Sequence, residues 1–105
     1  FIIFFGHNKS DLTPAAMDVI REAASAAKEN GIANVKLVGH ADRSGSDSYN
    51  QALSMRRANA VKSALVREGV SESIIGVDGR GESEPLVPTA DGVREPQNRR
   101  VNISF

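Results

Sequence analysis

An arginine stands on what is otherwise the apolar face of a helix. Apolar residues recur at helical spacing between Tyr49 and Leu65. Winding this segment at about 100° per residue puts Tyr49, Leu53, Ala60, Val61, Ala64 and Leu65 on one broad face. Arg57 falls near the middle of that face, and Asn50, two turns earlier, falls beside it. A guanidinium keeps its proton and is rarely buried unless paired. Arg57 therefore needs either a carboxylate from elsewhere in the chain or a ligand. Asp42 lies in Gly39-His40-Ala41-Asp42-Arg43-Ser44-Gly45, a turn that leaves a strand and delivers the chain to the start of this helix. In α/β sheets such strand ends are where ligands tend to bind. An acid and a base held about a side chain apart suit a zwitterion, with Asp42 taking an ammonium while Arg57 and the helix N-terminus take a carboxylate. The same residues fit a closed Asp42–Arg57 ion pair in an inert scaffold, because Asp before Ser-Gly is ordinary turn chemistry and buried charges are normally paired. Spacing leaves both readings open.

Catalysis finds little footing. The chain has no Gly-x-Ser-x-Gly elbow, no phosphate loop and no cysteine. A paired Asp and Arg lack a base poised near neutrality, since Arg keeps its proton and the Asp beside it stays ionised. The expectation is binding rather than turnover, with no catalytic residue and no cofactor. His7 and His40 are the two histidines, and without a third donor they fall short of the usual metal set, so no metal is expected. Asn98-Arg99-Arg100 reads, on its own, as a solvated basic pair at a strand start. Thirteen basic residues balance thirteen acidic ones, leaving no global field to attract nucleic acid or an anionic membrane. Arg43, Arg56, Arg57, Arg67, Arg80, Arg94, Arg99 and Arg100 all lie beyond position 42, and arginine suits bidentate recognition of carboxylates. The absence of cysteine removes disulfides and thiolate chemistry without deciding the compartment.

The elements that must position these groups follow from periodicity. Phe1 to Phe5 is a continuous apolar run, predicted to be a strand covered on both faces. Thr13-Pro14 gives an N-cap followed by proline at the first helical position. Met17, Ile20, Ala24 and Ala27 continue at helical spacing to a stop at Asn30-Gly31. Val35 to Gly39 is a second strand, the Arg57 helix ends near Gly69, and Ser71 to Ile75 fits one helical turn. Gly76 to Gly81 reads as a strand whose glycines permit close approach of another backbone. Residues 82–98, with Pro85, Pro88, Gly92 and Pro96, read as a long loop. Arg99 to Phe105 alternates, placing Val101, Ile103 and Phe105 on one face. The order β-α-β-α-β-β predicts an α/β (α+β) domain with a mixed sheet, both helices on one side and an antiparallel last strand. At 105 residues this is a single domain, 1–105. Because it opens in mid-strand with no targeting segment, the expectation is a piece excised from a larger protein.

Gly39 to Gly45, then Tyr49-Asn50, then Leu53-Ser54-Met55-Arg56-Arg57-Ala58, with Gly79-Arg80-Gly81-Glu82 and Asn98-Arg99-Arg100-Val101 downstream, resemble the OmpA-like C-terminal domain. That family includes the OmpA tail, the peptidoglycan-associated lipoprotein and the MotB stator protein. The resemblance covers nearly the whole chain, and the ordered set of motifs is far more specific than any one of them. It implies non-covalent binding of peptidoglycan through the diaminopimelate of its stem peptide, with a Gram-negative parent protein in or tethered to the outer membrane and this domain in the periplasm. It also implies a ligand-binding set of Asp42, Arg57, Asn50 and Arg99, with Leu53 alongside. Gly6-His7-Asn8 stands where many members carry an aspartate-bearing turn, which makes Asn8 a secondary candidate. Ala41 replaces a frequent threonine before the aspartate. A protein-protein interaction module using the 82–98 loop remains the alternative, and a homodimer is left open.

Overall fold

The structure is a computed structural model that describes residues 1–84 and 87–105. In chain order its regular elements are β1 (Ile2–Phe4), α1 (Pro14–Glu29), β2 (Val35–Gly39), α2 (Asp47–Arg67), β3 (Ile75–Gly79) and β4 (Arg100–Ser104). Short 3-10 turns occur at Glu72–Ile74 and Pro96–Asn98. The sheet order is β1-β4-β2-β3. β2 pairs in parallel with β3, while β4 runs antiparallel to both β1 and β2. The mixed α/β sheet with an antiparallel last strand agrees with the sequence expectation. The insertion of β4 between β1 and β2 does not follow from periodicity, and it is what brings Arg99 beside the end of β1.

α1 begins as its sequence dictates. Thr13 caps it by accepting a hydrogen bond from Ala16 N at 3.1 Å, with Pro14 in the first turn. Beyond Asn30 the chain turns through Gly31 at φ 59°, a left-handed conformation that suits glycine. Ile20, Ala23, Ala24 and Ala27 of α1 meet Ala58, Val61, Ala64 and Leu65 of α2 in one apolar cluster. Ile3, Val35, Leu37, Val101 and Ile103 close that cluster from the sheet, so both helices share one side of it.

Two expectations need correction. β1 is covered on one face only: Ile3 is buried, but Ile2 and Phe4 are 43% and 48% exposed. An unbroken apolar run cannot distinguish an edge strand with one free face from a strand covered on both. α2 keeps Asn50, Leu53, Val61, Ala64 and Leu65 buried as expected but is turned slightly from the expected face, burying Ser54 and Ala58 while Tyr49 stays exposed and Ala60 half-buried. Two glycines explain the rotation. A Cβ on Gly39 would lie 1.9 Å from Ser54 O, and one on Gly79 would lie 2.7 Å from Ser54 Oγ. The missing side chains let the helix rest its Ser54 edge directly on β2 and β3.

Part of the expected 82–98 loop is in fact the 3-10 turn Pro96–Asn98, and Pro85 and Leu86 lie outside the described residues. Phe105, placed with Val101 and Ile103 by alternation, falls after the end of β4 and is exposed. No described helix is long and apolar enough to cross a membrane.

Candidate functional site

The C-terminal end of β2, the turn after β1, and the chain entering β4 meet over the N-terminal half of α2. Arg57 projects from α2 into this junction and is fully buried. Its Nε donates to Lys9 O at 2.9 Å, Nη1 to His40 O at 2.9 Å and Nη2 to Gly6 O at 3.1 Å. The Phe5 ring lies 5.4 Å from the guanidinium carbon, a cation–π contact. The partner of Arg57 is thus neither of the two expected, a carboxylate or a ligand, but the main chain of two strand ends. Burial pulls its pKa down to about 10, opposed by the charge of Asp42, and the group stays cationic at neutral pH. Three of its five N–H donors are used in these bonds.

Asp42 is also buried, and it pairs with Arg99 rather than Arg57. Arg99 Nη1 donates to Asp42 Oδ2 at 3.1 Å, and Glu95 N donates to the same oxygen at 3.2 Å. The other oxygen accepts from Ser44 N at 3.1 Å and from Ser44 Oγ at 2.5 Å. Burial alone would raise the Asp42 pKa. The Ser44, Arg99 and Glu95 hydrogen bonds outweigh it, holding the carboxyl below its ordinary value. The closed Asp42–Arg57 ion pair is therefore not what the structure contains. The ordinary turn reading of Asp-x-Ser does hold, and it supplies half of the donors to this carboxylate.

Asn50 is buried, and its Nδ2 donates to Ser44 O at 2.8 Å, fixing the turn that aims Asp42. Leu53 is buried but stands apart from the main apolar cluster. Asn8 is exposed at φ 55° in the turn whose carbonyls hold Arg57; asparagine tolerates this left-handed conformation better than most residues. At the start of α2, Ser46 Oγ accepts from Tyr49 N at 3.2 Å, so one of the N–H groups expected to meet a ligand carboxylate is already capped by the chain itself.

Asn98-Arg99-Arg100 is not a solvated strand end. Asn98 is fully buried, Arg100 is 6% exposed, and the Arg99 side chain is 12% exposed. Arg99 Nε also donates to Phe5 O at 3.1 Å, tying β1 to Asp42. The contributions of Gly6, Lys9, His40 and Glu95 come from main-chain atoms, so no side-chain signal could have identified them. Ser44 was legible from its place two residues after Asp42.

The junction holds two guanidinium groups and one carboxylate. The Arg57 and Arg99 charges oppose one another, and Asp42 is the acid that supports Arg57. Its cover is thin, because Gly6 and Lys9 are exposed residues. Beside it opens a hollow of about 360 Å³ lined by Phe4, Phe5, Gly6, Thr13, Pro96 and Gln97.

Residues 4–99 match the model of the OmpA family. An outer membrane protein of Gluconacetobacter diazotrophicus is 41% identical over 109 aligned residues, covering 98% of this chain and 29% of that protein. The peptidoglycan-associated lipoprotein of Pseudomonas putida is 39% identical over 100 residues, covering 95% of this chain and 60% of the relative. The chain thus spans less than two thirds of either relative. Among solved structures, the OmpA-like domain of FopA1 from Francisella tularensis superimposes with a TM-score of 0.87 at 27% identity, covering 97% of this chain and 68% of that one.

Proposed function

From its place in the OmpA family, to which this chain belongs, we propose that it binds peptidoglycan non-covalently through the diaminopimelate of the stem peptide. In this reading it is the periplasmic domain of a larger outer-membrane or membrane-tethered protein, and it anchors that protein to the cell wall. The observation that carries the proposal is the charge balance of the buried junction, where Arg57 and Arg99 share the single carboxylate of Asp42. Such a cluster holds one surplus positive charge, and an incoming carboxylate would neutralise it. The ligand's carboxylate would take the guanidinium N–H groups left over from the main-chain bonds. Its ammonium would take Asp42 in exchange for the Glu95 N–H or Arg99. Leu53 would form an apolar wall, Asn50 would hold the turn, and exposed Asn8 would meet the peptide or sugar beyond.

Because Asp42 already has four donors, about as many as a carboxylate accepts, binding requires the Glu95 N–H or Arg99 to give way. That makes a single stem peptide a modest ligand. Binding rather than turnover fits the site, since Asp42 stays ionised and Arg57 stays protonated.

The test is co-sedimentation of the domain with purified sacculi. Asp42→Asn and Arg57→Lys, each checked for fold by circular dichroism, should each lose most of the pelleting. Walls carrying lysine in place of diaminopimelate lack the second carboxylate. Losing one charge-assisted contact of about 1.5–3 kcal/mol should weaken binding by roughly ten- to a hundred-fold. Equal binding to both walls would defeat the diaminopimelate assignment, and full retention by both folded variants would defeat the site.

A further inference from the structure

The face of the sheet turned away from the helices carries a second constellation. Alternation along β2 directs Val35, Leu37 and Gly39 toward the helices, leaving Lys36, Val38 and then His40 on the other side. In β4 the same rule leaves Arg100 and Asn102 outward while Val101 and Ile103 face the core. The ladder fixes their neighbours. Asn102 is opposite Val38, His40 N donates to Arg100 O at 2.7 Å, and Arg80 N donates to Gly39 O at 2.9 Å. Arg100, His40 and Arg80 therefore lie in one row across three adjacent strand ends.

Their electrostatic situations differ. Arg80 is paired twice, its Nε with Asp78 at 2.7 Å and its Nη1 with Glu84 at 3.0 Å. Arg100 has no carboxylate in salt-bridge contact among the described residues. Its Nη2 donates to Glu84 O at 3.2 Å, while Nε and Nη1 are buried without a hydrogen-bond partner among the described residues. Among the same residues His40, 2% exposed, has neither ring nitrogen partnered, and Asn102 Oδ1 is likewise buried and unpartnered. A buried guanidinium cannot drop its proton to escape this cost. His40, Arg100 and Asn102 line a common hollow of about 460 Å³ together with Arg80 and its partner Glu84, whose charges offset one another, and Lys36 stands at the exposed rim.

We infer that this hollow is a second binding site, which takes a small oxyanion, a carboxylate or phosphate group carrying a neighbouring hydroxyl or N–H. Arg100 and Lys36 hold the anionic oxygens. His40 and Asn102 take the adjacent donor, since an imidazole nitrogen and an amide oxygen accept where the guanidinium only donates. The mixture of buried donors and acceptors distinguishes this hollow from a basic patch that any anion would satisfy. It is independent of the peptidoglycan proposal, since it occupies the opposite face of the sheet. Among the described residues His40 alone touches both sites, its carbonyl accepting from Arg57 and its side chain lining the hollow with Arg100.

The test is titration of the isotope-labelled chain by NMR with lactate, glycerol 3-phosphate and acetate, at ionic strength held constant with chloride. Lactate or glycerol 3-phosphate should give saturable shifts at His40, Arg100 and Asn102, and whichever binds more tightly identifies the source of the oxyanion. Acetate, which lacks the hydroxyl, should bind at least five-fold more weakly than lactate. Arg100→Gln should remove these shifts while leaving any at Asn50, which reports the other site. Lys36→Gln, at an exposed position that leaves the fold intact, should weaken binding several-fold. Linear shifts spread over the surface, a chloride response of equal size, or saturable binding unchanged in both variants would each overturn the inference.

Discussion

Arg57 is a structural member of the domain as well as a candidate ligand group. Truncating it strands three carbonyl groups; those of Gly6 and Lys9 can turn to water, but that of His40 is bonded inside the junction. Arg57→Ala should therefore destabilise the fold by about 2–4 kcal/mol, combining one unpaired buried acceptor with the space left behind. Urea unfolding measures this, and an unchanged midpoint would contradict it. It follows that loss of wall binding in Arg57→Ala cannot by itself be credited to recognition, which is why the lysine variant is the better probe. His40 makes a prediction of its own. Burial, aided by the charge of Arg100, lowers its pKa to about 4 from an ordinary 6.5. The unfolded chain thus binds the extra proton more readily, so stability is complete above about pH 6.5 and declines as the pH falls toward 4. The loss is up to roughly 3 kcal/mol. Replacing His40 by Gln should flatten the stability profile across that window, and a variant that retains the wild-type slope would assign the slope elsewhere.

At the level of elements, the site depends on how closely α2 sits on the sheet. Gly39 ends β2, and a Cβ there would fall 1.9 Å from Ser54 O, a clash with main chain that no rotamer change relieves. Gly39→Ala should force the helix off the strand and cost more than about 3 kcal/mol. The displacement would move Arg57 relative to Asp42, since both hang on these two elements. A thermal melt gives the stability. A crystal structure in which α2 keeps its place would refute the tight-seating explanation. β4 contributes differently. Consecutive residues of extended chain face opposite ways, so Arg99, just before β4, joins Asp42 while Arg100, its first residue, turns to the outer hollow. One basic pair thereby equips both faces of the sheet.

For the molecule as a whole, balanced charge offers no long-range steering toward a polymer. In the proposed binding mode, one stem peptide would also have to displace a group already bonded to Asp42. Retention on a wall would then depend on many copies or on tethering, through effective concentration. Two copies joined by a flexible linker long enough to reach neighbouring stem peptides should bind sacculi on the order of 10²–10⁴ more tightly than one. Binding to a soluble stem peptide should be unchanged per domain. Equal sedimentation of the single and joined forms would argue against a repeated, modest wall contact.

Thr13-Pro14 at the head of α1, Gly31 at its end and the alternation of Val101 with Ile103 are all legible in the sequence. Each is enforced by dihedral sterics and side-chain period within a few residues. The presence of Asp42, Arg57, Asn50 and Arg99 in one place was expected from the resemblance, and the fold does gather them. Who bonds to whom was not readable. Asp42 meets Arg99, 57 residues away, only because β4 slots between β1 and β2. Arg57 is held by carbonyl groups, which every residue possesses and no sequence pattern marks. Arg100 likewise bonds a main-chain carbonyl, that of Glu84. Short-range geometry writes the elements into the chain, whereas charge partners are chosen by long-range register, where main-chain atoms compete on equal terms with side chains.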